Sequence, residues 1–230
     1  MTRTFRSGYT MVERHRHTGS YLALVLRGGY EEAGDRGCFS VREGDVVLHD
    51  PYEAHLDRYH ASGAEVVDLL LPFWATWPHA TMTVTDPDAA IRALETSVEE
   101  ALEYVLRAMQ PVCRAVDDWP HQLATAIGLD PHMRIDEWAF EYGLAEATVS
   151  RGFRKVFHVS PKTFRGQQRA RRAARLAACS RVRLDEIAQA SGFSDQAHMT
   201  KAVVALTGQT PGAWRKETQL TLSHDKAPDV

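Results

Sequence analysis

Residues 135–161 and 184–211 carry one pattern twice. Ile135-Asp136-Glu137 is matched by Leu184-Asp185-Glu186, Ala139 by Ala188, Gly143-Leu144 by Gly192-Phe193, and Ser160-Pro161 by Thr210-Pro211. The offset is 49 residues at the glycines and 50 at the prolines, so the second copy holds one extra residue in or just after its turn. A pattern written twice must be folded twice, as two small units held apart by whatever lies between them.

Each copy has the physics of two short helices meeting at an angle. Ile135, Trp138 and Ala139 in the first copy, and Leu184, Ile187 and Ala188 in the second, form an apolar stripe at helical spacing. Gly143 or Gly192 can take the left-handed conformation that ends this helix, and Leu144 or Phe193 can plug the angle that follows. The next helix begins near Ala145 and Ser194. Ser194-Asp195 is a good N-terminal cap and Ala145 a poor one, so the first unit's second helix is expected to start less firmly. Between the copies, Ser160 to Cys179 reads as one long helix, with a serine cap, Pro161 in first position, and then mostly Ala, Arg and Gln. Phe164, Ala174, Leu176 and Ala177 can face inward. Arg165, Arg169, Arg171, Arg172 and Arg175 supply surface charge, some of it for phosphates and the rest for solvent. Gly166 is a mild defect.

Charge separates the same segment from the rest. Residues 1–131 hold 11 Lys and Arg against 20 Asp and Glu, a net −9, whereas 132–216 hold 15 against 7, a net +8. The remaining 217–230 hold 1 against 3, a net −2. A basic segment beside an acidic one is the footprint of a nucleic-acid-binding module joined to something else, although a solvated basic helix face explains charge alone equally well. A hydrophobic content of 44% with 25% charged residues fits an ordinary globular protein. Residues 1–10 lack the apolar core of an export signal, and Leu22–Leu26, the longest apolar run of the first half, is too short to span a bilayer. Cys38, Cys113 and Cys179 are scattered and odd in number, which argues against a disulfide framework and for a reduced, cytoplasmic setting.

The landmarks Ile187-Ala188, Ser191-Gly192-Phe193-Ser194-Asp195-Gln196, Leu206-Thr207-Gly208, Thr210-Pro211 and Trp214 carry a resemblance. Over residues 119–216 the chain closely resembles the DNA-binding domain of the AraC/XylS family, with Pro120–Ile127 as its first helix. The resemblance implies a transcription regulator that binds double-stranded DNA through two recognition helices in successive major-groove segments. Such helices must stand about one duplex turn, ~34 Å, apart. Carried over position by position, the first recognition helix presents Ala147, Thr148, Ser150 and Arg151, and the second Gln196, Ala197, His198 and Lys201. Arg151 is the candidate for a bidentate guanine contact and Gln196 for an adenine or mixed contact. Arg154, Lys155, Lys162 and Thr200 are candidate phosphate contacts, which position without reading sequence. Met199 and Val203 stand where the family commonly has aromatics, a change expected to stay within core packing. Ala147 is small, so the first unit is expected to read fewer bases.

Upstream, Tyr21–Leu26, Cys38–Val41 and Val46–His49 are short β-prone runs separated by Gly-Gly, Gly-Asp and Asp-Pro turns, a pattern of sandwiches and small barrels. His15-Arg16-His17, Gly44-Asp45, Pro51 and His55 resemble the two motifs of the cupin barrel. The expected fold class is therefore α+β and multidomain: an N-terminal cupin-like β-barrel followed by an all-α tandem helix-turn-helix domain. In metal-binding cupins, histidines at i and i+2 share a strand face and combine with a glutamate and a distant histidine. His15, His17 and His55 match, while Tyr21 stands about where the glutamate is expected. Three imidazoles could hold Zn²⁺ or Fe²⁺ with an open fourth position; the competing reading is that they line a ligand pocket or satisfy hydrogen bonds. His49, Glu53 and His60 read as strand-end polarity rather than stand-in ligands.

Residues Asp88–Met109 read as one amphipathic helix with Ile91, Leu94, Val98, Leu102, Val105 and Leu106 on its apolar face, begun by Asp86-Pro87 and stopped by Gln110-Pro111. It either packs on its own barrel or forms a dimer interface. Phe73, Trp74 and Trp77 are candidates to close the pocket or form an interface, with core packing expected for at least one of them. The expected domains are a sensor over 1–85, a linker or dimerisation helix over 86–118, the DNA-binding domain over 119–216 and a flexible tail over 217–230. The expected partners are DNA, an unknown small-molecule effector, a second copy of the chain as a homodimer and RNA polymerase, with no membrane and no catalytic residue. The alternative function is a metal-dependent cupin enzyme fused to a DNA-binding domain; the missing glutamate and the lack of an acid–base pair near the histidines weigh against it.

Overall fold

The computed structural model describes residues 1–72 and 77–216. Phe73, Trp74 and the tail 217–230 lie outside the described residues. The chain divides into two compact units, Met1–Gln122 with Val156–His158, and Leu123–Lys155 with the residues from Val159 onward.

The first unit is built on antiparallel strands: β1 (Thr2–Arg6), β2 (Met11–Arg16), β3 (Tyr21–Gly34), β4 (Gly37–Arg42), β5 (Asp45–His49), β6 (Ala54–Leu70), β7 (Thr81–Thr83) and β8 (Gln110–Pro111). They form one sheet in the order β1-β6-β3-β5-β7-β8, with β2 also on β6 and β4 also on β3. The long strands β3 and β6 run side by side from Tyr21↔Leu70 to Gly34↔His55. Alternation sends Leu22, Leu24 and Leu26 to one face, with Val46, Leu48, Val67 and Leu69. Tyr21, Ala23 and Val25 go to the other, with Tyr30, Val47 and Val66. Both faces are covered, so this stretch reads as an unbroken apolar run rather than an alternating one.

Two sequence expectations change here. Gly28-Gly29 is not a turn between strands: β3 continues through it to Gly34, and the register shifts at Val25/Arg27 and Gly28/Tyr30 mark a bulge. Gly28 has φ +73°, and a Cβ there would lie 2.0 Å from the Gly63 carbonyl oxygen. Glycine serves turns and bulges for the same steric reason, so local sequence does not separate them. Likewise, 88–109 is two helices, α1 (Pro87–Thr96) and α2 (Val98–Ala108). Ser97 is extended between them and its Oγ accepts from Glu100 N at 3.0 Å, capping α2 as Asp86 caps α1. Ala90, Ala101 and Val105 bury against the leucine face of the sheet. Gln110–Pro111 does more than stop a helix, since it pairs with β7. Beyond it, Arg114 donates to the buried Asp45 carboxylate through Nε at 2.7 Å and Nη2 at 3.0 Å.

The second unit is helical: α3 (Trp119–Leu129), α4 (Ile135–Glu141), α5 (Glu146–Phe157), α6 (Pro161–Cys179), α7 (Leu184–Ala190) and α8 (Gln196–Thr207). The expected pairs are present as α4–α5 and α7–α8, with Gly143 at φ +63° and Gly192 at φ +80°. Helix α6 packs on α7 and α8 and buries Phe164, Ala174 and Ala177, joined by Gln168, Ala170, Ala173 and Ala178; Leu176 is only half-buried. Among the described residues no helix is long and apolar enough to cross a membrane.

Candidate functional site

In the second unit the two helices expected to read DNA turn polar faces outward. On α5, Val149 and Phe153 are buried one turn apart, and Phe153 stands edge-on to Phe164 with ring centres 5.2 Å apart. Ala147, Thr148, Arg151, Arg154 and Lys155 are exposed, and Ser150 is half-buried. On α8, Met199 and Val203 are fully buried, so the departures at these positions are core packing. Gln196, Ala197, His198 and Lys201 are exposed and Thr200 is half-buried. Lys162 is exposed in the first turn of α6. The cap difference also holds: Asp195 Oδ1 accepts from His198 N at 2.7 Å, whereas α5 opens on backbone bonds from Thr148 and Val149 to the Ala145 carbonyl. Phe193 is buried as the plug of its turn, 5.2 Å from the His198 ring.

Three arginines of α6 are engaged within the domain. Arg165 Nη1 donates to the Met133 carbonyl at 3.0 Å, and Arg169 Nε to the Pro131 carbonyl at 2.6 Å. Arg171 Nη2 donates to Gln168 Oε1 at 2.9 Å. Sequence shows the charge of Arg165 and Arg169, but not the carbonyls of the 131–133 segment that fold brings beside them.

In the first unit, β2 and β6 bring the predicted histidines together. His15 and His55 are cross-strand partners with ring centres 4.4 Å apart, and His17 lies 4.8 Å from His15 and 5.4 Å from His55. One ring nitrogen from each can be chosen so that all lie within 4.8 Å of one another. His15 Nδ1 bonds the Glu13 carbonyl at 2.9 Å, which leaves its Nε2 for a ligand. Tyr21 is not an idle replacement for glutamate: its hydroxyl is 3.1 Å from His55 Nε2. These residues border a cavity of about 110 Å³ that Arg6, Asp57, Tyr59 and Asp68 also line.

His49 and Glu53 depart from the sequence reading, because both are buried rather than polar strand ends. His49 stacks on Tyr21 with ring centres 4.4 Å apart. Its Nε2 lies 3.6 Å from Glu32 Oε2 and its Nδ1 3.5 Å from Glu53 Oε2. Glu32, unmarked by any motif, is buried beside His55, whose Nδ1 is 3.1 Å from Asp57 Oδ1. The imidazoles divide by charge. Burial lowers His15, and burial with the neighbouring His55 holds His17 down at about 4. Burial also holds His49 at about 4, against the pull of Glu32. Burial opposes charge on His55 too, but Glu32 and Asp57 outweigh it and raise this group well above the usual histidine range. The surroundings therefore favour the neutral form, which can act as a ligand or hydrogen-bond acceptor, at His15, His17 and His49, and the charged form at His55.

A helix-turn-helix domain family matches residues 138–217. No curated protein matches the chain. Among solved structures, the chain is similar to the DNA-binding domain of AdpA, a global transcriptional factor, in complex with a target DNA, at 21% identity over 46% of this chain and 96% of that one, with a TM-score of 0.43. A probable AraC family transcriptional regulator from Rhodopseudomonas palustris is similar at 18% identity over 42% of this chain and 94% of that one, with a TM-score of 0.39. ToxT from Vibrio cholerae is similar at 8% identity over 94% of this chain and 97% of that one, with a TM-score of 0.43.

Proposed function

We infer that this chain, whose residues 138–217 are an AraC-type helix-turn-helix domain, is a sequence-specific DNA-binding transcription regulator governed by its N-terminal unit. The observation that carries the DNA reading is the tandem arrangement itself. Two helix-turn-helix units flank one α6 connector, and each turns a polar helix face to solvent while its apolar face closes the core. In this reading Ala147, Thr148, Ser150 and Arg151 on α5, and Gln196, Ala197, His198 and Lys201 on α8, face base edges. Arg154, Lys155, Lys162 and Thr200 hold phosphates.

The N-terminal unit acts as the sensor in the same proposal. Its effector is a small molecule or a divalent ion taken up at the cavity bordered by His15, His17 and His55. The donor set fits an ion, with one ring nitrogen each from His15, His17 and His55 within 4.8 Å of one another, while the Tyr21 hydroxyl competes for His55 Nε2. An effector changes DNA affinity only by binding the DNA-competent state and its alternative unequally. A homodimer would place two readers on a paired site, and RNA polymerase is the partner through which a bound regulator acts. The three free cysteines suit a reducing, cytoplasmic setting.

Selection from a random duplex library with the full-length protein tests the reading. Enrichment of two short blocks about one helical turn, ~10 base pairs, apart is the expected outcome. Salt-sensitive binding with no enriched sequence would overturn sequence-specific recognition.

A further inference from the structure

His55 stands between two sets of donor groups, one on each ring nitrogen. Nε2 faces the Tyr21 hydroxyl, and Nδ1 faces Glu32 and Asp57. On the Nδ1 side, Glu32 comes from β3, His49 from the end of β5 and His55 from the start of β6. Glu32 Oε2 is 3.6 Å from His49 Nε2 and 3.5 Å from His55 Nδ1, and a donor atom from each of the three residues falls within 4.8 Å of the others. Such separations are long for hydrogen bonds. They match the ligand–ligand edge of a tetrahedral ion, about 3.3–3.6 Å for metal–ligand bonds of roughly 2.0–2.2 Å.

Two further observations point to a ligand. Glu32 Oε2 and His49 Nε2 are buried without a hydrogen-bond partner among the described residues, in side chains only 3% exposed each. The register also leaves room for the carboxylate. Gly34 is the partner of His55 across the β3–β6 ladder, and a Cβ there would stand 3.0 Å from Glu32 Oε1 and 3.2 Å from His55 Cβ. The φ of Gly34 is not in the left-handed region, so its bareness serves space rather than conformation. Behind the group, Glu53 Oε2 accepts from Asp50 N at 3.0 Å and lies 3.5 Å from His49 Nδ1.

We propose that Glu32, His49 and His55 form a buried site for one divalent transition ion of the zinc or ferrous class, on the Nδ1 side of His55 and separate from the His15–His17 side. Two imidazoles and one carboxylate suit such ions. Asp57, already beside His55 Nδ1, is placed to become the fourth ligand or to remain in the outer shell. With the ion on Nδ1, the N–H of His55 is at Nε2, 3.1 Å from the Tyr21 oxygen. The site deepens the reading of the N-terminal unit as the sensor, because it would give that unit a chemically defined effector.

The test uses full-length protein stripped with a chelator and titrated with Zn²⁺, and with Co²⁺ as a visible-absorbing probe. Bound metal, the Co²⁺ spectrum and melting temperature are read together. One ion per chain is expected, with Glu32→Gln and His49→Gln each weakening binding about 100-fold or more, the upper range for lost support of a metal site. His60→Gln, at an exposed histidine of β6 outside both histidine groups, should leave affinity within about threefold, below one factor of ten. Each apo variant should melt cooperatively and keep the wild-type circular dichroism, so lost binding is not lost folding. Unaltered affinity in Glu32→Gln, or no ion bound by the wild type, would overturn the site. An ion bound through Glu32 that leaves DNA affinity unchanged would uphold the site and remove its sensor role.

Discussion

Arg169 Nε donates to the Pro131 carbonyl at 2.6 Å and Arg165 Nη1 to the Met133 carbonyl at 3.0 Å, so both guanidiniums hold the segment that leads into α4. Arg151 on α5 and Lys162 on α6, by contrast, are exposed. Loss of Arg169 should therefore lower stability by about 1.5–3 kcal/mol, the range for hydrogen bonds made by charged groups. In Arg169→Ala, melting should fall while the salt dependence of DNA binding stays as in the wild type. Arg151→Ala should weaken a selected site by ~1–3 kcal/mol and relax preference at one base pair, whereas Lys162→Ala should weaken all sequences similarly and reduce the salt slope by about one. Equal losses for Arg151→Ala on selected and random duplexes would remove its base-reading role. The turn glycines differ as well. Both need positive φ, but a Cβ at Gly192 would meet the Pro131 carbonyl oxygen at 2.5 Å, while one at Gly143 meets nothing within 4 Å. Gly143→Val should cost about 1–3 kcal/mol for strain alone, and Gly192→Val more, which melting curves of the two variants compare directly.

At the scale of elements, the helices of the second unit were legible because caps and apolar stripes are local. Ser160, Asp195 and the two turn glycines are where local chemistry puts them, and the α5 start that lacked a good cap residue opens on backbone bonds. The helix before this unit was not legible in the same way. Its apolar positions keep helical spacing across Ser97, although the backbone there is extended at φ −160° and ψ 161°. Periodicity registers which face is apolar and is blind to a one-residue break that preserves that face. Ser97→Ala should destabilise the protein by about 1 kcal/mol through the lost cap of α2, as thermal or urea unfolding would record. No change would mean that packing of Ala101 and Val105 holds α2 without its cap. The bulge at Gly28 teaches the same lesson for strands: a glycine pair marks a bend, and only the partner strand decides whether the chain turns or continues.

At the scale of the whole molecule, net charges of −9 over residues 1–131 and +8 over 132–216 place DNA affinity and acidity in different parts of one chain. Binding of a selected duplex by full-length protein should fall steeply with added salt, with a log–log slope of about −0.9 per phosphate neutralised. A slope near zero would count against a phosphate-binding face on α5, α6 and α8. The tandem repeat, its caps, the connector and the basic charge needed only the sequence, because each depends on residues a few positions apart or on composition. The histidine pair His15 and His17 was visible for the same reason. What tertiary structure alone decided is who stands beside His55. Glu32 comes from β3, distant in sequence from β6, and His49 from the end of β5 just before it; they reach His55 through the β3–β6 register that sets Gly34 opposite it and the β3–β5 register that sets Tyr21 opposite His49. Strand pairing is non-local and a shift of one residue would turn Glu32 to the other face, so this buried cluster exists only once the sheet has formed.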